Sequence, residues 1–237
     1  MSTDIVKING VNVFPFSSVE ELLNYIDQKS GILIAINAGK IHRATDVTRE
    51  IINNNIGFID GVGALFAIRK KGCSNGIIIK GCELWLVIIK KYLKKKSFYL
   101  IGGTQETIEG TVKKLKSEFQ AINIKNYRNG YFDTDDDKKL LIKDIIEKKP
   151  DIVFVAMGSP KQEILMQELN DQYPALYQGL GGSFDLYIGK SKRAPQWFVD
   201  HHLEGTYRFF NDISYPRLKR YLNDILFVVK VFLNYYK

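Results

Sequence analysis

The residues best suited to chemistry sit in short runs that also contain glycine. Asp60 ends an apolar run and is followed by Gly61-Val62-Gly63. A carboxylate there has two readings: a general base facing a ligand cleft, or a cap on the helix that follows. Gly158-Ser159-Pro160-Lys161-Gln162-Glu163 puts three polar side chains into the first turn of a helix opened by proline. Those three are either ligand contacts or ordinary surface residues. Gly102-Gly103, Gly130-Tyr131-Phe132 and Gly181-Gly182 close further apolar runs, and Asn37 closes another. Glycine lets the backbone approach a ligand, and the amides of a following helix attract phosphate. Any one such glycine can be a plain turn; the recurrence favours a nucleotide or diphosphate ligand.

Other chemistries are less well supported. GxxxxGK[ST] and a good GxGxxG are both missing, so neither a P-loop nor a dinucleotide site is expected. Gly181-Gly182-Ser183-Phe184-Asp185 does not satisfy GxSxG, so Ser183 is not a nucleophile elbow. Asp133-Thr134-Asp135 formally matches a metal-holding DxD triplet, but it lies in an acidic loop before a helix and reads as a helix entry. His42, His201 and His202 have no triad or metal spacing, and Cys73 and Cys82 lack zinc-site neighbours.

These residues need a scaffold of alternating strands and helices. Ile5–Ile8 and Val11–Val13 flank Asn9-Gly10, a hairpin signal. Ser17 or Ser18 caps a first helix. Residues 31–36 form a continuous apolar run, as a strand covered on both faces does. Residues 39–54 then read as helix, 56–59 as strand, and a helix follows to about Lys71. The second half alternates strands at 98–101, 122–127, 151–157 and 175–180 with helices at 105–119, 135–148 and 160–169. That alternation predicts an α/β fold, a Rossmann-like parallel sheet with an N-terminal β-hairpin.

The tail differs. After Arg193-Ala194-Pro195 no strand pattern remains, and Leu218, Leu222, Ile225, Val229 and Phe232 recur at helical spacing with basic residues between them. We expect a catalytic core over 1–192 and a helical appendage over 193–237. The appendage is either a membrane- or partner-facing amphipathic segment or a helix docked on the core. The chain has 237 residues, 45% of them apolar, and a formal charge of +8, which excludes a disordered or fibrous chain. From Lys190 onward nine cations oppose four acids. Such a surplus points to an anionic partner. Nucleic acid is the less favoured one, because no RNA-binding aromatic motif or basic recognition helix is present. A second basic cluster, Lys90–Lys96, closes a helix. The opening MSTDIVKING lacks a basic and an apolar leader region, so a cytosolic protein is expected.

Taken in order, Asp60-Gly61-Val62-Gly63, Gly102-Gly103, Gly130-Tyr131-Phe132, Met157 to Glu163, Gly179 to Asp185 and Arg193-Ala194-Pro195 closely resemble the WecG/TagA/CpsF family of bacterial glycosyltransferases, over about Ile5 to Arg220. The resemblance implies inverting, metal-independent transfer of a hexosyl residue from a UDP-sugar to an undecaprenyl-diphosphate-linked sugar on the cytosolic membrane face. The hexosyl residue would be of N-acetylmannosamine, its uronic acid, glucose or galactose type. The products would be cell-surface polysaccharides such as O-antigen, capsule, enterobacterial antigen or teichoic acid. It implies Asp60 as base. It places the donor on Gly102, Gly103, Tyr131, Phe132, Gly158, Pro160, Lys161, Gln162, Glu163, Gly182 and Asp185. It places the acceptor diphosphate near Asn37, Arg193, Arg208, Arg217 and Arg220. No cofactor is implied, and a homo-oligomer is compatible with the pattern. Two positions depart from the family: Ala35 replaces a usual Thr, and Gly205 replaces an aromatic residue. A nucleotide-binding subunit without catalysis is the remaining alternative, and the Ala35 departure is what keeps it open.

Overall fold

The computed structural model describes residues 4–27, 29–200, 204, 207 and 215–236, with only the backbone at 200, 215–217 and 219–221. The expected α/β architecture is present. Strands β1 (Val6–Ile8) and β2 (Val11–Val13) pair antiparallel. Their turn has Asn9 and Gly10 both at positive φ, 51° and 77°, the geometry that tight hairpins select. The remaining strands are β3 (Gly31–Ile36), β4 (Ile56–Ile59), β5 (Ser97–Gly102), β6 (Asn123–Arg128), β7 (Ile152–Ala156) and β8 (Leu176–Gly179). They form a six-stranded parallel sheet in the order β4-β3-β8-β7-β5-β6.

The chain groups into two compact units. The first contains residues 1–21, 35–80 and 192–237, and the second contains residues 22–34 and 81–191. Helix α1 (Val19–Tyr25) and strand β3 each have residues in both.

In the second unit, α5 (Gly81–Tyr92) leads into β5, α6 (Gln105–Glu118) joins β5 to β6, α7 (Asp135–Lys148) joins β6 to β7, and α8 (Lys161–Gln172) joins β7 to β8. β7 is buried at every residue, as its unbroken apolar run requires. Trp85 anchors the core with edge-on contacts to Phe154 and Phe184, at centroid distances of 5.8 and 5.6 Å. The connection after β5 runs to one side and the connection after β7 to the other. The crevice between these two strand ends is therefore a topological switch point, where open parallel sheets bind ligands.

In the first unit, residues 39–54 do not form one helix. They split into α2 (Ala38–His42) and α3 (Asp46–Asn53), because Thr45 restarts the helix with a capping box to Thr48. Phe14 N–H donates to Gly57 O at 2.7 Å, tying the hairpin to β4. Helix α11 (Tyr215–Phe232) packs on α2 and on α4 (Val62–Lys70). Among its described side chains Phe227 and Val231 are buried, whereas Leu222, Ile225, Leu226, Val229 and Phe232 stay exposed. Before it, among the described residues, come the shorter helices α9 (Ser183–Tyr187) in the second unit and α10 (Gln196–Asp200) in the first. Among the described residues no helix is long and apolar enough to cross a membrane.

His42 ties the chain end to this packing. Its Nδ1 shares a 2.7 Å hydrogen bond with the Tyr236 hydroxyl, and its ring meets Phe227 at 6.5 Å. Burial, with repulsion from Lys230 and Arg43, holds the imidazole below its ordinary value. The unfolded chain therefore takes up this proton first as pH falls, so the stability His42 contributes is present above the ordinary imidazole pKa and lost below it. Thermal unfolding measured from about pH 7.5 to pH 5.5 should show a falling melting temperature, with a flatter slope in His42→Asn.

Candidate functional site

Four strands of the second unit carry candidate residues at or just beyond their carboxyl ends. β5 ends in Gly102 (φ 136°), and Gly103 (φ 66°) follows it. A Cβ on Gly102 would run into the backbone carbonyl of Ala156, its partner on β7. Gly130 N–H donates to Gly103 O at 2.9 Å, and a Cβ on Gly130 would lie 3.0 Å from both Gly102 Cα and Met157 Cγ. The ends of β5, β6 and β7 are thus closed against one another by backbone contact that side chains would prevent. Gly158, Gly181 and Gly182 have nothing within 4 Å of an added Cβ. Open space beside the glycines at these strand ends is what a ligand running along the backbone would use.

The polar residues around this rim fall into two groups. Gln162 and Glu163, in the first turn of α8, are 3% and 2% exposed. The surface-residue reading does not hold for them. Gln162 Oε1 accepts from Gly181 N–H at 2.9 Å, and its Nε2 donates to Glu163 Oε1 at 3.1 Å. One side chain therefore links the start of α8 to the loop after β8. Lys161, their neighbour, is exposed, and Pro160 occupies the N-cap position of α8.

Asp185 lies on α9 and is also held in place. The Thr107 hydroxyl donates to Asp185 Oδ1 at 2.9 Å, which engages one of its two carboxylate oxygens. Thr107 is buried in the first turn of α6, which Thr104 caps through Thr107 N–H. Tyr131 stands 63% exposed at the rim. Its loop is fixed at both ends of the residue: Tyr131 N–H donates to Asn129 Oδ1 at 3.0 Å, and Arg128 Nη2 donates to Tyr131 O at 2.9 Å. The Arg128 guanidinium also lies 4.2 Å over the Phe132 ring.

Thr107, Arg128 and Asn129 are positioning residues that motif reading alone passes over. Their sequence signals are faint: the Gly-Gly-Thr-Gln-Glu-Thr run carries a cap spacing, and Arg128-Asn129 precede the Gly-Tyr-Phe triplet.

The first unit carries the other candidates. Asp60 is half-buried at the end of β4, and its N–H donates to Ile36 O at 2.8 Å, one residue before Asn37. It is not the helix cap. Gly61 holds that position of α4, at φ 113° and without a side-chain cap bond. Asn37 caps α2, its Oδ1 accepting from Lys40 N–H at 3.0 Å. α2 and α4 therefore start side by side after Asn37 and Asp60, and a Cβ on Gly63 would meet Ala38 Cβ at 2.8 Å. Phe227 of α11 lies 3.9 Å from the same point. The tail helix thus packs directly on the helices that follow the two polar strand ends.

Arg193 lies 3.8 Å from the Glu204 carboxylate. Arg217 and Arg220 lie in the first part of α11, their side chains outside the described residues. Arg208 and Gly205 lie wholly outside them. The Asp133-Thr134-Asp135 triplet is the entry to α7, as expected: Thr134 caps it, and Asp137 completes a capping box. Among the described residues no three His, Cys, Asp or Glu side chains converge as a metal site.

A family model described as the glycosyl transferase WecG/TagA/CpsF family matches residues 6–237.

Proposed function

The chain belongs to this glycosyl transferase family, and from that premise we propose that it moves a hexosyl residue from a UDP-sugar to a polyprenyl-diphosphate-linked sugar, with inversion, in cell-surface polysaccharide synthesis. The observation that carries the donor side of this reading is the glycine-lined crevice at the β5/β7 switch point, with Gln162 and Asp185 locked into its rim. Open space beside Gly158, Gly181 and Gly182, next to the starts of α8 and α9, suits a diphosphate. An exposed aromatic ring suits stacking on a base, so Tyr131 is assigned to the uracil. Asp185, with one oxygen held by Thr107, is assigned to hydrogen bonding with the uridine.

In the proposed step an acceptor hydroxyl attacks the anomeric carbon as the bond to the diphosphate oxygen breaks. The hydroxyl proton passes to the Asp60 carboxylate, and UDP leaves with the bonding electron pair. Strand-end amides, Lys161 and the arginines of the tail stabilise the departing charge, as fixed dipoles and cations do for developing anions. The acceptor side rests on Asp60, Asn37 and the tail that packs behind them. The exposed apolar residues of α11, with the basic residues around them, suit an interfacial helix. On this reading the protein works at the cytosolic face of the membrane, where the lipid-linked acceptor is.

Binding of UDP, GDP and NAD, followed by thermal shift, tests the donor assignment. UDP should stabilise the protein and the other two should not; stabilisation by NAD in preference to UDP would contradict it. Tyr131→Ala should weaken UDP binding by about ten- to a hundredfold, since base–aromatic stacking contributes about 1–3 kcal/mol, with little change in melting temperature because the ring is exposed. Removing residues after Pro195 should abolish transfer to a lipid-linked acceptor while UDP binding survives. Full transfer by the truncated chain would exclude a role for the tail.

A further inference from the structure

The basic cluster that follows α5 has no part in the proposed reaction, yet the fold gathers more cations around it. Lys94, Lys95 and Lys96 join Lys125 of β6 and Lys149 after α7 around a cleft of about 300 Å³. The cleft lies at the amino ends of β5, β6 and β7, the edge of the sheet opposite the glycine-lined crevice. β5 runs from Ser97 beside the cleft to Gly102, five residue steps, or about 17 Å at the usual strand rise. A nucleotide at the crevice does not reach it.

Lysine at a helix C-terminus is unremarkable taken singly, because it complements the helix dipole. Convergence of five lysines on a lining with one carboxylate is not explained that way. Asp151 is the one carboxylate in the lining. Its Oδ2 already accepts from Ser97 N–H at 2.7 Å and from the Ser97 hydroxyl at 2.6 Å. Lys96 is partly engaged, donating to Asp27 O at 3.1 Å and lying 4.6 Å over the Tyr92 ring. Among the described residues, Lys94, Lys95, Lys125 and Lys149 form no ion pair. Lys149 also sits at φ 49° as the C-cap of α7, where glycine or asparagine is the usual occupant. A cation thus stands at a backbone position that disfavours it, in a group of like charges.

We propose that this cleft is a second binding site, for an anion that carries two or more negative charges on phosphate groups. Its polar, ammonium-rich lining suits a hydrophilic ligand, and several lysine point charges suit phosphate without demanding one fixed geometry. The phosphate can come from a soluble polyphosphate or from an anionic lipid headgroup. The inference rests on the cleft alone and is independent of the donor assignment.

The test compares the full-length protein with a cleft variant, Lys94→Gln/Lys95→Gln/Lys125→Gln/Lys149→Asn. A control, Lys113→Gln/Lys116→Gln/Lys139→Gln/Lys143→Gln, removes the same charge elsewhere. Each is titrated at fixed ionic strength with pyrophosphate, and separately with phosphatidylcholine vesicles with and without phosphatidylglycerol. The cleft variant should bind at least tenfold more weakly than the control in one arm. Loss confined to pyrophosphate identifies a soluble ligand, and loss confined to phosphatidylglycerol vesicles identifies a headgroup. Equal binding by the two variants, or no binding of either probe to the unmodified protein, overturns the proposal. Melting temperatures within a few degrees of the unmodified protein confirm that both variants are folded.

Discussion

Asp60→Asn is expected to lower sugar transfer by about 10²–10⁴-fold, the usual contribution of a positioned general base, while UDP-induced stabilisation stays near that of the unmodified protein. The substitution keeps the size of the side chain and removes its capacity to take a proton. The backbone anchors are unchanged by it: Asp60 N–H donates to Ile36 O, and Gly61, not Asp60, caps α4. The residues proposed to hold the nucleotide lie in the other unit and do not include Asp60. Single-turnover transfer measured beside a UDP melting titration separates the two effects. Loss of both together would mean that Asp60 has a structural role, and retention of both would remove it from the reaction.

Gly102→Ala should have the largest effect on folding of any single methyl addition at the crevice. The new Cβ would collide with the Ala156 carbonyl, and Ala156 Cα and C would lie only 2.8 and 2.7 Å away. These are backbone atoms of the adjacent strand, paired in register with Gly102, so no rotamer change relieves the contact. Overpacking of this kind costs about 1–3 kcal/mol, occasionally more. A non-glycine residue at φ 136° adds about 1–3 kcal/mol of backbone strain. For a chain of this length the sum corresponds to a melting temperature lower by roughly 5–20 °C. Whatever protein remains folded should bind UDP poorly, since parting β5 from β7 opens the crevice. Calorimetry of Gly102→Ala beside Gly181→Ala separates clash from strain. Gly181, at φ 59° with open space around it, should show the smaller loss.

Much of this architecture can be read from residue order because local and tertiary preferences agree. The Asn9-Gly10 turn, the continuous apolar run of β7 and the acidic, Thr134-capped entry to α7 each specify one local structure. Reading falters where a feature depends on contacts far along the chain. Gln162 and Glu163 stay open to a surface reading because the group that Gln162 accepts from, Gly181 N–H, is 19 positions away. Asp185 is fixed by Thr107 across 78 positions. The break between α2 and α3 turns on Thr45, one cap inside an otherwise helical pattern. α9 is too short to show a period. The grouping of 192–237 with 1–21 and 35–80 arises from α11 packing on α2 and α4, and no local pattern announces it. The cleft lined by Lys94, Lys125 and Lys149 is likewise invisible until the parallel topology brings three strand starts together.

The mass of the acceptor after reaction shows whether Asp60 drives inverting sugar transfer. The protein and Asp60→Asn are incubated side by side with a panel of UDP-sugars and a short-chain polyprenyl-diphosphate-sugar, and the products are read by mass and anomeric configuration. One donor is expected to add a single hexosyl residue with inverted configuration, with one UDP released per transfer and essentially no gain with Asp60→Asn. A product of retained configuration, or an equal gain by the variant, would contradict this expectation.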